Sequence, residues 1–310
     1  MAEPKALISG GLGFIGSHIV EHCRNLGMEV TIVDNLSSGY EENVPGLERY
    51  WKRNLHSEGS ISYMFETEGP FDYIYHCAAY AAEVKSHERR AFTYHNNIVG
   101  SANLIQQAMD SKTCKRFVFV SSAAVYGKMT NHAISELEPT LPADPYGISK
   151  RATELDLRIS GLPYTIFRAH NVYGPRQNMN DPDRNVIAIF MKQCLEGKPM
   201  TIYGDGSQRR QFSYIDDVAP YIARAPLNPG SENRTFNIGS DEDYRVSAIA
   251  EEVARAIGGS NFALTKHLPE RKEVKCVRVS HEAFKEVFQP SPTVPIDEGI
   301  RRMAEWAKSR

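Results

Sequence analysis

The chain has 310 residues, 41% hydrophobic and 24% charged, with a formal net charge of −2; this is an ordinary balance for a soluble enzyme, long enough for one large α/β domain or two lobes. No apolar run approaches the ~18 residues that a membrane span requires, and neither the charge nor any basic run with interleaved aromatics points to nucleic acid. The five cysteines, Cys23, Cys77, Cys114, Cys194 and Cys276, are scattered without a Cys-x-x-Cys pair, so neither a disulfide framework nor a bound metal is expected.

Met1-Ala-Glu-Pro-Lys leads into the first strand with no signal peptide, so a cytoplasmic location is expected. The first strand is Ala6–Ser9, and Gly10-Gly11-Leu12-Gly13-Phe14-Ile15-Gly16 follows it. A helical stretch then leads to a second apolar run, Glu29–Asp34, which ends in an acid. Strand, glycine-rich turn, helix and strand together describe a βαβ unit that holds a dinucleotide. Gly10 lets the chain turn off the strand, Gly13 opens the backbone to a pyrophosphate, Gly16 permits close packing of the helix, and the helix N-terminus faces phosphate charge. Asp34 can accept from both adenosine ribose hydroxyls and would repel a 2′-phosphate, so NAD is expected rather than NADP.

Further strands are predicted at Arg49–Arg53, Phe71–His76, Arg116–Ser121 and Tyr164–Phe167, with helical spacing over Ala91–Met109 and Gly147–Ile159. This alternation predicts a doubly wound parallel sheet, a Rossmann fold, whose ligands lie beyond the carboxyl ends of the strands. Cys77-Ala78-Ala79 follows one such end: small residues there let the backbone approach a cofactor, although a tight turn explains them almost as well. After about Pro175 the pattern shifts to short strands, Met200–Tyr203 and Thr235–Ile238, among loops and helices. The expected division is a cofactor-binding part over 1–175 and a smaller α/β substrate-binding lobe over 176–310, with no clean linker and some exchange of elements. The last helix, Ile296–Lys308, carries an apolar face for packing.

Tyr146-Gly-Ile-Ser-Lys150 sets a phenol and an ammonium one helical turn apart, on one face. A neighbouring lysine favours the phenolate, the useful form of a general base near neutral pH. The preceding strand runs into Ser121-Ser122-Ala123-Ala124-Val125-Tyr126-Gly127, which places the Ser122 hydroxyl at a strand's carboxyl end, and Pro145 introduces the helix of Tyr146.

These segments, with Arg168-Ala-His-Asn171-Val-Tyr-Gly-Pro175 and Tyr203-Gly-Asp-Gly, resemble the extended short-chain dehydrogenase/reductases, and most closely the UDP-sugar C4-epimerases typified by UDP-galactose 4-epimerase. The resemblance spans nearly the whole chain. It implies that Ser122 and Tyr146 hold the sugar O4, while Lys150 binds the nicotinamide ribose and lowers the tyrosine pKa; each unit is worth ~1.4 kcal/mol. It also implies NAD contacts from Phe14, Ile15, Asn35, Ser38, Asn54, Leu55, Cys77, Ala78, Ala79 and Asn96. Substrate contacts are implied for Asn171, Asn185, Thr201, Tyr203, Arg210, Arg271 and Glu273, the arginines serving as bidentate pyrophosphate donors. A homodimer through the helices 91–109 and 147–159 belongs to the same expectation.

Dehydratases and decarboxylases that resemble this family place acids directly after the catalytic hydroxyl, where this chain has Ala123 and Ala124, which transfer no proton. Asn54 stands where an aspartate is usual, Ala81 replaces a lysine, the Arg271-Lys-Glu273 loop is one residue shorter, and Val277 suggests room for a 2-acetamido group. The resulting expectation is NAD-dependent C4 epimerisation of UDP-glucose/UDP-galactose or their N-acetyl forms through a 4-keto sugar. Its rivals are a UDP-uronate 4-epimerase, an NAD-linked nucleotide-sugar reductase or dehydrogenase, and an NAD-binding regulator without turnover.

Overall fold

The computed structural model describes residues 3–127, 132–181, 185–258, 265–269 and 276–310, without the side chains of 276 and 277. Its centre is a seven-stranded sheet in the order Arg234–Ile238, Tyr164–Ala169, Arg116–Ser122, Tyr73–His76, Lys5–Ser9, Glu29–Asp34, Trp51–Lys52. Every pairing in it is parallel. The order reverses at Lys5–Ser9, so the ligand crevice of a doubly wound sheet falls beyond Ser9 and His76.

Both faces of this sheet are covered, which is why its strands read as continuous apolar runs rather than alternating ones. The two-residue period sorts their side chains between two cores. Leu7, Ile74, Phe117, Phe119 and Ile166 point to one face with Leu104, Ala108 and Leu157, whereas Ala6, Ile8, Tyr75, Val118, Val120 and Phe167 point to the other. The second core runs on without a break into Ile187, Phe190, Met200, Ile249 and Ile300, so one apolar body joins the sheet to the C-terminal helices.

Smaller sheets follow the sixth strand of the chain. Met200–Tyr203 pairs in parallel with Thr265–Leu268, and Arg209–Gln211 lies between Asp243–Arg245 and Cys276–Val277. Two sequence expectations change here. The strand over 235–238 is not part of these sheets; it forms the edge of the central one, registered Phe236 to Phe167. The helical stretch over 91–109 runs from Arg90 to Ser111 but contains a π turn at His95–Val99. Among the described residues no helix is long and apolar enough to cross a membrane.

Candidate active site

The glycine turn is built for close approach. Gly10 has φ +70°, and a Cβ on it would lie 2.7 Å from the Ala78 backbone nitrogen; one on Gly16 would overlap the Gly10 carbonyl. Residues with side chains therefore cannot make this turn against the Cys77-Ala78-Ala79 segment. Gly13 caps the helix Phe14–Asn25 with no side-chain hydrogen bond, which leaves its first-turn N–H groups directed at whatever anion sits above them. Asp34 closes the cradle. Its carboxylate accepts from Leu12 N at 3.0 Å and Leu36 N at 2.8 Å, while burial pushes its pKa up against the pull of these backbone donors. Asn35 donates to Asn54 at 2.8 Å, and half-buried Ser38 lies in the loop beside Gly39, whose Cβ would strike Leu12. A bare pyrophosphate cradle with a carboxylate at the second strand's end fits a dinucleotide carrying free ribose hydroxyls. Leu55 is different: its side chain is packed in the core, leaving only main chain for a ligand.

The side chains expected to be catalytic converge from two elements. Ser122 ends its strand, and its hydroxyl accepts from Ala124 N at 3.1 Å, capping a short 3₁₀ turn. Asp144 caps the helix Pro145–Ile159 by accepting from Gly147 N at 2.8 Å, with Pro145 in the first turn, so Tyr146 sits at the helix entrance. Ser86 Oγ accepts from Tyr146 N at 3.3 Å, tying that entrance to the preceding loop. Lys150 is 4% exposed; its ammonium donates to Val120 O at 2.8 Å and lies 4.8 Å from the Phe119 ring centre and 5.9 Å from that of Tyr146. Burial lowers its pKa to about 8, although Glu154 pulls the other way. Cys77 is itself pushed up to about 12 by burial and remains a neutral thiol.

A cavity of about 620 Å³ opens over these groups, within the range of small-ligand sites. Its wall brings together Phe14, Ile15, Cys77 and Ala79 from the expected cofactor set, the three residues expected to be catalytic, and Asn171, Asn185, Thr201, Tyr203 and Arg210 from the expected substrate set. Alternation explains two of them. In Met200–Tyr203 the residues Met200 and Ile202 are buried, which turns Thr201 and Tyr203 to the cavity. Asn171 takes φ +37°, tolerated by asparagine, and donates to Gln211 O at 2.9 Å. Asn185 caps the helix Val186–Leu195 and donates to Val172 O at 2.7 Å. Arg271, Glu273 and the Val277 side chain lie outside the described residues.

Sequence reasoning missed several residues here. Asn96 faces its own helix, donating to Phe92 O, while its neighbour Asn97 is buried and binds both Tyr80 N and O and the Ser149 hydroxyl. Asn97 thereby clamps the loop after His76 to the catalytic helix, and the π turn is what rotates it inward. Gln193 fixes Thr201, accepting from its N–H at 2.9 Å. Glu83 and His170 also line the cavity. A side chain lying beyond the carboxyl end of a parallel strand was the available signal for both.

The description "NAD dependent epimerase/dehydratase family" belongs to the family model that matches residues 6–239, and the chain is a member of that family. A UDP-N-acetyl-alpha-D-glucosaminuronate decarboxylase of Bacillus cytotoxicus is 30% identical over 98% of each chain. The crystal structure of a Thermotoga maritima UDP-glucose 4-epimerase with UDP-glucose matches with TM-score 0.90 and 32% identity, covering 98% of this chain and 99% of that one. A Bacillus cereus UDP-glucuronic acid 4-epimerase, in complex with UDP-glucuronic acid and NAD, matches with TM-score 0.88 and 27% identity, covering 98% and 99%. The protein is thus an enzyme of the extended short-chain dehydrogenase/reductase type, and NAD is its cofactor.

Proposed function

We propose that the enzyme is a UDP-sugar C4-epimerase acting on UDP-glucose/UDP-galactose or their N-acetyl forms. The observation that supports this most is the meeting of Ser122, Tyr146 and Lys150 in one cavity with Asn185, Thr201, Tyr203 and Arg210. Bound NAD supplies a reversible two-electron oxidant at the sugar carbon. Tyr146 accepts the O4 proton and later returns it, with the Ser122 hydroxyl holding the same oxygen. Lys150 places a positive charge 5.9 Å from the phenol ring, where it stabilises negative charge on the tyrosine oxygen. Ala123 and Ala124 offer no proton group beside Ser122, which suits oxidation and re-reduction alone. The 4-keto ring must turn without leaving, so the nucleotide end is anchored: Tyr203 stacks on the base, while Arg210 and, by resemblance, Arg271 hold the pyrophosphate.

The proposal divides labour between residues 1–175, for the cofactor, and 176–310, for the nucleotide sugar, with Arg234–Ile238 lent to the first part. It includes a homodimer packed through the helices ending at Ser111 and Ile159, whose outer faces expose Phe92, Val99, Ile148, Leu155 and Ile159. It keeps the cytoplasmic location, with which the free thiols Cys23, Cys77, Cys114 and Cys194 agree. The test is incubation with a panel of UDP-sugars, without added cofactor, resolving C4 stereoisomers by NMR. Interconversion is expected, with Tyr146→Phe slower by at least ~100-fold. Net loss of water or carbon dioxide, or full activity in Tyr146→Phe, would overturn the proposal.

A further inference from the structure

Glu83 is the only carboxylate in the wall of the active-site cavity among the described residues. It opens the short helix Glu83–Ser86, reached by the loop that leaves the carboxyl end of Tyr73–His76. Its position is fixed relative to the chemistry: Ser86 Oγ donates to Glu83 O at 2.5 Å and accepts from Tyr146 N at 3.3 Å. One hydroxyl therefore bridges the backbone of Glu83 to that of the catalytic tyrosine.

The Glu83 side chain lies in the cavity wall and is solvent-exposed, and it makes no hydrogen bond or ion pair with the described residues. The crowding of atoms around it, and then the charge of Asp144, push its pKa up to about 7 against the opposing pull of Arg210, so the group is fully anionic above about pH 8. A carboxyl group in the wall of this cavity without a partner among the described residues is suited to meeting one from the ligand. Among the described residues the cations in the same wall are Lys150 and Arg210. Lys150 is held by the Val120 carbonyl, and the preceding proposal commits Arg210, with Arg271, to pyrophosphate. Neither of the two described cations remains for an acidic sugar.

Resting on that proposal, we infer that Glu83 determines specificity at the sugar subsite: its carboxyl receives a hydrogen bond from a hydroxyl of a neutral hexose ring and rejects hexuronates by like-charge repulsion. A uronate differs from its hexose by one anionic group, and in a partly desolvated cavity two carboxylates repel far more than in water. The chain's likeness to enzymes named for uronates makes this discrimination a property of its own residues rather than of the fold.

The experiment compares, at about pH 8.5 where Glu83 is ionised, kcat/KM for UDP-glucose, UDP-N-acetylglucosamine and UDP-glucuronate in the full-length NAD-loaded enzyme and in Glu83→Gln, with circular dichroism confirming the fold. Wild type should favour the better neutral sugar over the uronate by at least ~10-fold, and Glu83→Gln should shrink that ratio by at least ~10-fold, chiefly through KM for the uronate. An unchanged ratio in Glu83→Gln, or a wild-type preference for the uronate, overturns the inference. If the variant turns over too slowly, the ratio of Kd values for the same ligands by calorimetry decides in the same way. Failure of wild type to convert any sugar would sink the proposed activity instead, and the Kd ratio would still report on Glu83.

Discussion

Lys150 is a buried ammonium, a costly placement for a charge. Burial lowers its pKa from the ordinary 10.5 to about 8. Between those values the unfolded chain binds more protons than the folded one, so this group makes stability rise with pH from about 8 to 10.5, and its cost is full below 8. Removing the charge but keeping the stem sacrifices one hydrogen bond to Val120 O, about 1–3 kcal/mol, against a burial cost of several kcal/mol. Lys150→Met without added NAD should therefore melt no lower than wild type at pH 7 by calorimetry, with the difference closing toward pH 10.5, while sugar conversion falls at least ~100-fold. A clearly lower melting point would contradict this account of the site. Glu83 illustrates what a sequence conceals at this scale. An acid at the first position of a helix reads as a dipole partner for its N-terminus, and only the tertiary fold brings it into the cavity wall with Tyr146.

The central strands were legible because burial on both faces writes an unbroken apolar run, as in Phe117–Val120, and so was the helix entrance at Pro145, marked by its proline and by Asp144. The partner of Arg234–Ile238 was not. Apolar residues name a strand but not its neighbour, and the contact with Tyr164–Ala169 is settled by tertiary packing. A buried ion pair joins the elements around Ser122. Glu154, on the catalytic helix, accepts from Ser121 Oγ at 2.6 Å and from Arg168 at 2.9 and 2.7 Å; Arg168 also donates to Tyr126 OH, which donates to Asn237. This chain holds the catalytic helix, two central strands, the turn after Ser122 and the edge strand in one arrangement. Glu154→Ala leaves the 2%-exposed Arg168 guanidinium without its counter-charge, so a loss of about 3–5 kcal/mol is expected in urea unfolding. A loss below about 1 kcal/mol would mean that water replaces the carboxylate.

At the scale of the whole molecule, the exposed apolar residues have a regular spacing. Ile148, Leu155 and Ile159 recur on one face of the catalytic helix, and Phe92 and Val99 are likewise two turns apart on its neighbour. Such a stripe, flanking the helix that carries Tyr146 and Lys150, suits a symmetric pairing of two copies. The double substitution Leu155→Glu and Ile159→Glu should convert a dimer to monomer in sedimentation at micromolar concentration. A wild-type protein that sediments as a monomer would remove the dimer from the proposal.

Arg234–Ile238 takes the outermost place in the sheet although it is far downstream of its partner Tyr164–Ala169. During synthesis, the nascent sheet therefore waits with an open flank until the late segment leaves the ribosome, and unpaired flanks invite joining by foreign chains. Ser231 and Glu232, which reach Arg116 and Thr165 just before the late segment begins, sit where they can dock first and guide it home. A truncation short of them would leave an adhesive remnant rather than a smaller working enzyme.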